Sequence, residues 1–565
     1  MIARREECDY RLKSLFDNEE RLAFVSRSRD ICDYMLPHAS SLLCNSPSQA
    51  DERWRHIFDT TATEALDISV AGHMTYATPI GVGWLSLALR NEPDLVGDGE
   101  VKAFLKELAR RQVAIGQQSN TEQDFKLLTR DCLAFGGGAS VIDDDDIYTI
   151  WHHYVPVGDY ALGANFRGQI DTLYRELRIT LRQAVAEFGV EKLSQELRHK
   201  YAIPGAKHWD DPVNIVQAIE PRADGKRYSE DGKPVPSTML PWRSLYWEKD
   251  AKKEDGCLRE SGYRVFPVLA PRYDTQGRGL YGYGPGCVAL AHVRSLQHRH
   301  HRLAEVIDWQ TKGMFTAPTM AAGQGNQWRP GGRVLIDSPN PQPIRNVADN
   351  NARLDHLMAD IQDVREQIKR VLHADTFTLL SSIDAKDVTA EAVREKRQEK
   401  MDILGPLTAR LLNELPRPWV DITYAAMEAK GQVPTIPAVL LNRRAQIDPE
   451  FESVLAKSAK SQKLSALSGF TGFVANLAAS VDKRALHKIK SFGLVNEAAK
   501  TFDVAPEILR SDMEAQQIAD AEAKAQAQSD AIAMGNTKAK SIRDIGSVKT
   551  GEPNLMSDAI ASGAA

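Results

Sequence analysis

The chain has 565 residues, 42% hydrophobic and 26% charged, which excludes a disordered polypeptide and leaves room for several packed cores. Its formal net charge is −5, so it lacks the basic surplus with which proteins grip nucleic acid tightly through the phosphates. The six cysteines (Cys8, Cys32, Cys44, Cys132, Cys257 and Cys287) form no C-x-x-C pair and no zinc-ligand spacing with a histidine, so they read as free thiols of a reducing compartment. The start, Met-Ile-Ala-Arg-Arg-Glu-Glu, is charged at once, unlike a secretory leader. Ile68 to Leu89 carries no Asp, Glu, Lys or Arg and is roughly long enough to span a bilayer. Pro79 after Thr78 ends a helix there, so the stretch reads as a buried helix, a turn and a strand at Trp84–Leu87.

Along the chain the elements alternate between helical and strand periods, which gives an α+β protein. Residues 4–40 are helical, with Leu12, Leu15, Phe16, Leu22, Val25, Ile31, Tyr34 and Met35 spaced by threes and fours and Pro37 as the stop. After a polar loop, Thr61-x-x-Glu64 is a capping-box pattern opening a helix to about Ala77. Residues 100–135 are helical until Phe135-Gly136-Gly137-Gly138-Ala139 breaks the pattern and opens a strand. Asp143 to Asp146 reads as a solvated hairpin turn between two strands. Asn165-Phe166-Arg167-Gly168 makes a second hairpin. Thr180-x-x-Gln183 caps a short helix that Gly189 stops. Strands follow at Val213–Ile219, Trp242–Glu248 and Tyr263–Val268.

Two long helices come next. One runs from Gly286 to about Lys312, roughly 37 Å at 1.5 Å per residue, and the other from about Ala352 to His373. The second carries Leu354, Leu357, Met358, Ile361, Val364, Ile368, Val371 and Leu372 at near-regular spacing. Between them, residues 313–350 hold five prolines and five glycines and little helical pattern. Thr376–Val388 also lacks a strong helical pattern. A charged helix then opens at Thr389-Ala390-Glu391, bends at Gly405-Pro406, is interrupted at Pro416 and Pro418, and ends at Gly431-x-Val433-Pro434. Residues 449–528 are helical and rich in Ala, Gln and Glu. From Gly535 the composition is that of a disordered tail.

Catalytic motifs are missing. There is no G-x-x-x-x-G-K-[ST], no G-x-S-x-G and no H-E-x-x-H. Gln297-His298-Arg299-His300-His301-Arg302 is the best metal or nucleic-acid candidate. His300 and His301 diverge by about 100° on a helix, and only His298 and His301 share a side. With no carboxylate or cysteine pattern beside them, they read as a polar helix face, or as a ring of like residues in a symmetric oligomer. Adjacent carboxylates among Asp143–Asp146 point to opposite faces of a strand, which argues against a metal site there.

The order of short motifs resembles the portal proteins, the head-to-tail connecting proteins of short-tailed phages. The resemblance rests on Asp59-Thr60-Thr61-Ala62 through Thr78-Pro79 to Trp84, and on Gly168-x-Ile170-Asp171-Thr172-x-Tyr174-Arg175. It continues through Thr180-x-Arg182-Gln183, Phe188-Gly189, Trp247-Glu248, Glu260-Ser261-Gly262-Tyr263, Phe266-Pro267 and Arg272. Tyr281-Gly282-Tyr283-Gly284-Pro285-Gly286 follows, with Tyr283 a departure from the family pattern, and residues 386–413 give the charged helix passing into Leu-Gly-Pro.

The resemblance implies a phage portal fold: a mixed α/β wing (1–285), a two-helix stem (286–312 and 351–375) with a clip insertion (313–350), a channel loop (376–388), a long wing helix and return (389–448), a helical C-terminal crown (449–535) and a tail (536–565). It implies a dodecameric ring at one capsid vertex, in the virion and, during assembly, in the host cytoplasm. The ring would pass double-stranded DNA during packaging and ejection. It would meet a separate terminase motor, tail adaptor proteins, the major capsid protein and scaffolding or internal core proteins, with no membrane and no cofactor. Ser381, Ser382, Asp384 and Lys386 would then border the DNA channel. For Lys386 the alternative is a surface pair with Asp384 or Asp387. Trp328, Arg329 and Arg333 would lie at the clip's partner interface, with packing inside the clip the alternative for Trp328. A reading of a different class, a metal-dependent DNA-processing enzyme using Asp143–Asp146, predicts ion-dependent nuclease activity.

Overall fold

A computed structural model describes residues 2–37, 57–78, 84–90, 98–226, 235–251, 257–312 except 278, 314–318, 329–336, 354–381, 410–441 and 446–451, with short stretches between 469 and 532. The chain divides into two compact units, Met1–Lys457 and Ser458–Ala565. In the second, the described stretches 469–474 and 513–522 are helical, as the composition predicts. The first unit mixes helices and sheets, which agrees with the α+β class.

The N-terminal helical region is two helices, α1 (Ile2–Phe16) and α2 (Glu19–Met35), because Asn18 caps the second by accepting the Glu20 N–H at 2.9 Å. Helix α3 (Thr61–Ala77) begins where the sequence predicts, but not by the Thr61/Glu64 capping box. Instead the Asp59 carboxylate accepts the Thr61 N–H at 2.8 Å, and Thr60 donates to Glu64. Strand β1 (Leu85–Arg90) follows. The helical region 100–135 is also two helices, α4 (Gly99–Gln118) and α5 (Thr121–Ala134). The break at Asn120 has a use. Its side chain accepts the His152 N–H and donates to the His152 carbonyl, holding a strand as a neighbouring strand would.

Strands β2 (Ala139–Asp145) and β3 (Thr149–Val155) form the first hairpin. Strands β4 (Tyr160–Ala164) and β5 (Ile170–Thr180) form the second. Helix α6 (Leu181–Phe188) carries the complete Thr180/Gln183 capping box and stops at Gly189, as the sequence predicts. Helix α7 (Gln195–Ala202) and strands β6 (Pro212–Pro221), β7 (Trp242–Glu248) and β8 (Arg259–Tyr263) continue the chain. The sheet β4-β5-β6-β7-β8 is antiparallel throughout. Val213 and Ile215 of β6 pack toward Leu181, Ala184 and Phe188 of α6, while Val216 and Ala218 pack toward Cys8 and Leu12 of α1. Burial on both faces explains why β6 is apolar at nearly every central position.

The strand predicted over Tyr263–Val268 is divided. β8 ends at Tyr263, and Pro267, which has no N–H to donate, precedes the short β9 (Val268–Leu269) paired with β2. Helix α8 (Pro285–Thr311) is the first long helix. Strands β10 (Phe315–Pro318) and β11 (Arg333–Ile336) pair in parallel, and helix α9 (Leu354–Val371) is the second long helix. Helix α10 (Ala374–Ser381) occupies the start of the segment expected to lack helix. Helix α11 starts at Pro416 and runs to Ala429, so the proline opens a helix after the helical residues 410–414. After α12 (Ala438–Leu441), strand β12 (Gln446–Phe451) pairs antiparallel with β1. That strand corrects the helical expectation from 449 onward, and its Pro449 and acidic residues hid it.

The residues between α5 and β2 cross the residues leading into α8, backbone against backbone. Gly136 has φ +103°, and a Cβ built on it would lie 2.4 Å from the Gly282 carbonyl carbon. A Cβ on Gly282 would lie 2.1 Å from the Gly136 carbonyl oxygen. Neither position has room for a side chain, which explains the glycines in both motifs. Gly282→Ala is expected to lower stability by about 1–3 kcal/mol or more. Gly99→Ala, with nothing within 4 Å of the new carbon, is expected to change it by under about 0.5 kcal/mol. Denaturant unfolding of the two variants checks this, and equal effects would contradict the crossing.

Candidate functional site

The two long helices are joined to the rest of the first unit at one buried polar cluster. Helix α8 spans 27 residues, about 40 Å, and buries Ala289, Leu290, Val293, Leu296 and Gln297. Helix α9 buries Ile361, Val364 and Ile368. These residues share a core with α2 and α3.

At the centre is Asp59, just before α3 and 5% exposed. Its Oδ2 accepts from Arg365 Nε at 2.8 Å and lies 2.8 Å from Arg365 Nη2 and 2.7 Å from His300 Nε2. Its Oδ1 holds the Thr61 N–H. Gln297 of α8 completes the cluster. Its Oε1 accepts the N–H groups of Phe58 (2.8 Å) and Asp59 (3.1 Å), and its Nε2 donates to the Asp59 carbonyl at 2.8 Å. Thus one carboxylate and one amide tie α3, α8 and α9 together. Burial pushes the Asp59 pKa up, but the hydrogen bonds from Thr61 and Arg365 outweigh it and hold the carboxyl below its ordinary value. Outside the core, Arg299 of α8 reaches Asp360 of α9 at 3.1 Å.

Beyond α9 the chain turns at His373 (φ +59°) and enters α10. Phe377 of α10 lies where Gly72 of α3 has no side chain: a Cβ on Gly72 would sit 2.2 Å from the ring. Phe377 also meets the His73 ring edge-on, 5.2 Å between centroids. His73 is buried, and burial pushes its pKa down to about 4. Hence the start of the predicted channel segment is a helix seated in a notch of α3.

Of the four predicted channel residues, Ser381 ends α10, while Ser382, Asp384 and Lys386 lie outside the described residues. Trp328 also lies outside them. Arg329 is exposed just before the turn into β11, and its carbonyl accepts the Gly332 N–H. Arg333 opens β11 opposite Phe315. Arg329 and Arg333 are therefore both beside the β10–β11 pair.

The acids at 143–146 turn to separate partners. Asp143 accepts from the Tyr263 hydroxyl, and Asp145 accepts the N–H groups of Ile147 and Tyr148 within the hairpin. Asp144 is held above its ordinary value, first by burial and then by Asp143. The histidines of α8 separate as well: His300 faces Asp59, His301 lies 3.4 Å from Glu305, and His298 is exposed. Among the described residues no group of three or more His, Cys, Asp or Glu side chains is placed to hold a metal ion. No described helix is long and apolar enough to cross a membrane.

Sequence reasoning did not single out Arg365, and it met Gln297 only within the 297–302 run and Asp59 only within the Asp59-Thr60-Thr61-Ala62 motif, without bringing the three together. The partners lie 238 to 306 positions apart, beyond any local pattern.

The sequence pattern of the family described as bacteriophage head to tail connecting protein matches residues 5–509. The "Probable portal protein" of Bordetella phage BPP-1 is 32% identical over 542 residues, 95% of each chain. The "Portal protein" of Salmonella phage epsilon15 is 31% identical over 550 residues, 96% of each chain. This chain belongs to the family of bacteriophage head to tail connecting proteins. The resemblance drawn from the motifs is confirmed.

Two outcomes follow from the cluster and the notch. Asp59→Asn is expected to cost about 1.5–3 kcal/mol at pH 7, because it removes a charged acceptor from bonded donors. The folded pKa is depressed, so the carboxylate's contribution is present above the ordinary pKa and is lost as pH falls through the folded value. The gap between wild type and variant in unfolding free energy should therefore close below about pH 4. For His73 the folded state keeps the ring neutral, and wild-type stability should fall as pH drops from about 6.5 toward 4. His73→Gln should flatten that window in the same titration. A gap that persists at low pH, or an unchanged slope in the variant, would contradict these assignments.

Proposed function

We propose that the chain is a portal subunit, and that copies assemble into a closed ring, of about twelve by analogy with the family, at one vertex of a phage capsid. The observation that carries the reading is the family match over nearly the whole chain, joined to two long helices with a β-containing segment between them. In this reading α8 and α9 are the stem, β10 and β11 belong to the clip, and residues 1–285 with α11 form the wing. The described helices after Ser458 belong to the crown. The segment after α10 borders the channel. The ring is the conduit for double-stranded DNA during packaging and ejection, and the subunit is structural.

The clip is the docking surface for the terminase motor and later for tail adaptor proteins. Capsid and scaffolding or internal core proteins surround the ring at its vertex, and assembly takes place in the host cytoplasm before the ring becomes part of the virion. Lys386, repeated around the ring, forms a sparse positive belt. Such a belt steadies phosphates without the many contacts that make binding tight and strongly salt-dependent. The net charge of −5 fits a conduit that must release its cargo.

Negative-stain imaging and native mass spectrometry of the purified chain, with and without capsid partners, should show closed rings with a central hole. Monomer alone under all conditions would refute the proposal. Lys386→Glu should leave rings intact and lower the length of DNA packaged or retained per particle. Full-length packaging at wild-type yield by that variant would remove Lys386 from the DNA path. Trp328→Ala should weaken adaptor or motor binding with rings unchanged, and unaltered affinity for both partners would remove Trp328 from the interface.

A further inference from the structure

Helix α11 is seated on α4 and α5 by Trp419, which is fully buried. Its ring packs near Trp84, 5.7 Å between centroids, and near Phe125, 6.1 Å. A Cβ built on Gly116 of α4 would lie 2.9 Å from Trp419 Cζ2, on the edge of the indole that also carries its nitrogen. One turn earlier on α4, Gln112 donates from Nε2 to the Val420 carbonyl at 3.0 Å. Thr423 stands one turn after Trp419, on the same side of α11. Gln112, Trp419 and Thr423 are therefore all at the contact between α4 and α11, inside an otherwise apolar core.

Three atoms of these buried side chains have no hydrogen-bond partner among the described residues: Gln112 Oε1, Trp419 Nε1 and Thr423 Oγ1. Buried polar groups are nearly always paired, with protein or with ordered water, because an unpaired one costs about as much as a lost hydrogen bond. The three are chemically complementary to one water. The amide oxygen only accepts, the indole N–H only donates, and the hydroxyl does both. A water can take the indole N–H on its oxygen and give its two hydrogens to the amide and hydroxyl oxygens. Three bonds is the usual number for a buried water. Space is at hand as well. Trp419 lines, with Val113, Gly116, Thr121 and Phe125, a cavity of about 30 Å³, and a water needs roughly 10–15 Å³.

We infer that Gln112, Trp419 and Thr423 form a site for one ordered water, which bridges α11 to α4. The direct Gln112–Val420 bond fixes where α11 lies along α4. The water then pairs the polar groups around that bond, so that Trp419 can bury its whole ring between Trp84 and Phe125 without stranding its N–H. The bridge also accounts for a hydroxyl at 423 and an amide at 112, where the surrounding core would otherwise favour apolar side chains.

Two measurements on the full chain test the site. Thr423→Val keeps the side-chain shape and removes the hydroxyl. If the water is there, it loses a partner, and the thermal unfolding midpoint is expected to fall by about 1–3 °C. If it is not, the substitution removes an unpaired buried hydroxyl, and the midpoint stays or rises. That result overturns the site. The second measurement is a cryo-electron microscopy map at a resolution that shows ordered water in the core. A peak is expected within about 2.7–3.2 Å of at least two of Gln112 Oε1, Trp419 Nε1 and Thr423 Oγ1. A map that shows water elsewhere in the core and none in reach of these atoms overturns the site, even where Thr423→Val lowers the midpoint, because packing alone then explains the fall.

Discussion

The structure of the long helices depends on the buried carboxylate of Asp59. A charge removed from water is costly unless paired and hydrogen-bonded, and here the Thr61 N–H, Arg365 and His300 surround it. Its environment fixes three things at once: where α3 begins, which side of α8 faces inward through Gln297 and His300, and which side of α9 does so through Arg365. Once those sides are set, the remaining surfaces of α8 and α9 are set too.

A second constraint is steric. The Gly136–Gly282 crossing brings the turn after α5 into backbone contact with the approach to α8. The Gly72 notch does the same for α10, through Phe377. Both place the long helices and their extension by excluding side chains. Close-packed interiors resist small added volumes, so these contacts act as stops with little tolerance. In the ring proposed above such stops would matter, because an error in one subunit's helix direction is repeated at every interface.

Much of this was legible in the sequence where the signal is local. The Thr180/Gln183 box, the hairpin at Asn165–Gly168 and the stripes of α8 and α9 rest on neighbours three or four residues apart. The misreadings have long-range causes. Thr61 and Glu64 have the spacing of a capping box, but Asp59 takes the first N–H because Arg365 and His300 hold it in place. β12 carries Pro449 and two acids, and only its pairing with β1 makes it a strand. α10 shows little helical pattern of its own, and its docking on α3 supplies the missing stabilisation. Of the site, the motifs gave the family and the helix pair. The cluster that joins that pair to α3 ties Asp59 to residues more than two hundred positions away, and one sequence carries no trace of their meeting.

The central claim is that Asp59 and Gln297 bind the start of α3 and the two long helices into one cooperative unit. Native-state hydrogen exchange tests it most directly, because it reports the opening free energy amide by amide. The account predicts that the amides of Phe58, Asp59 and Thr61, bonded to Gln297 and Asp59, open together with the buried turns of α8 around Val293–Gln297 and of α9 around Ile361–Ile368. Exchange at Phe58, Asp59 and Thr61 many-fold faster than in those turns would show that the cluster opens independently, and would contradict the account.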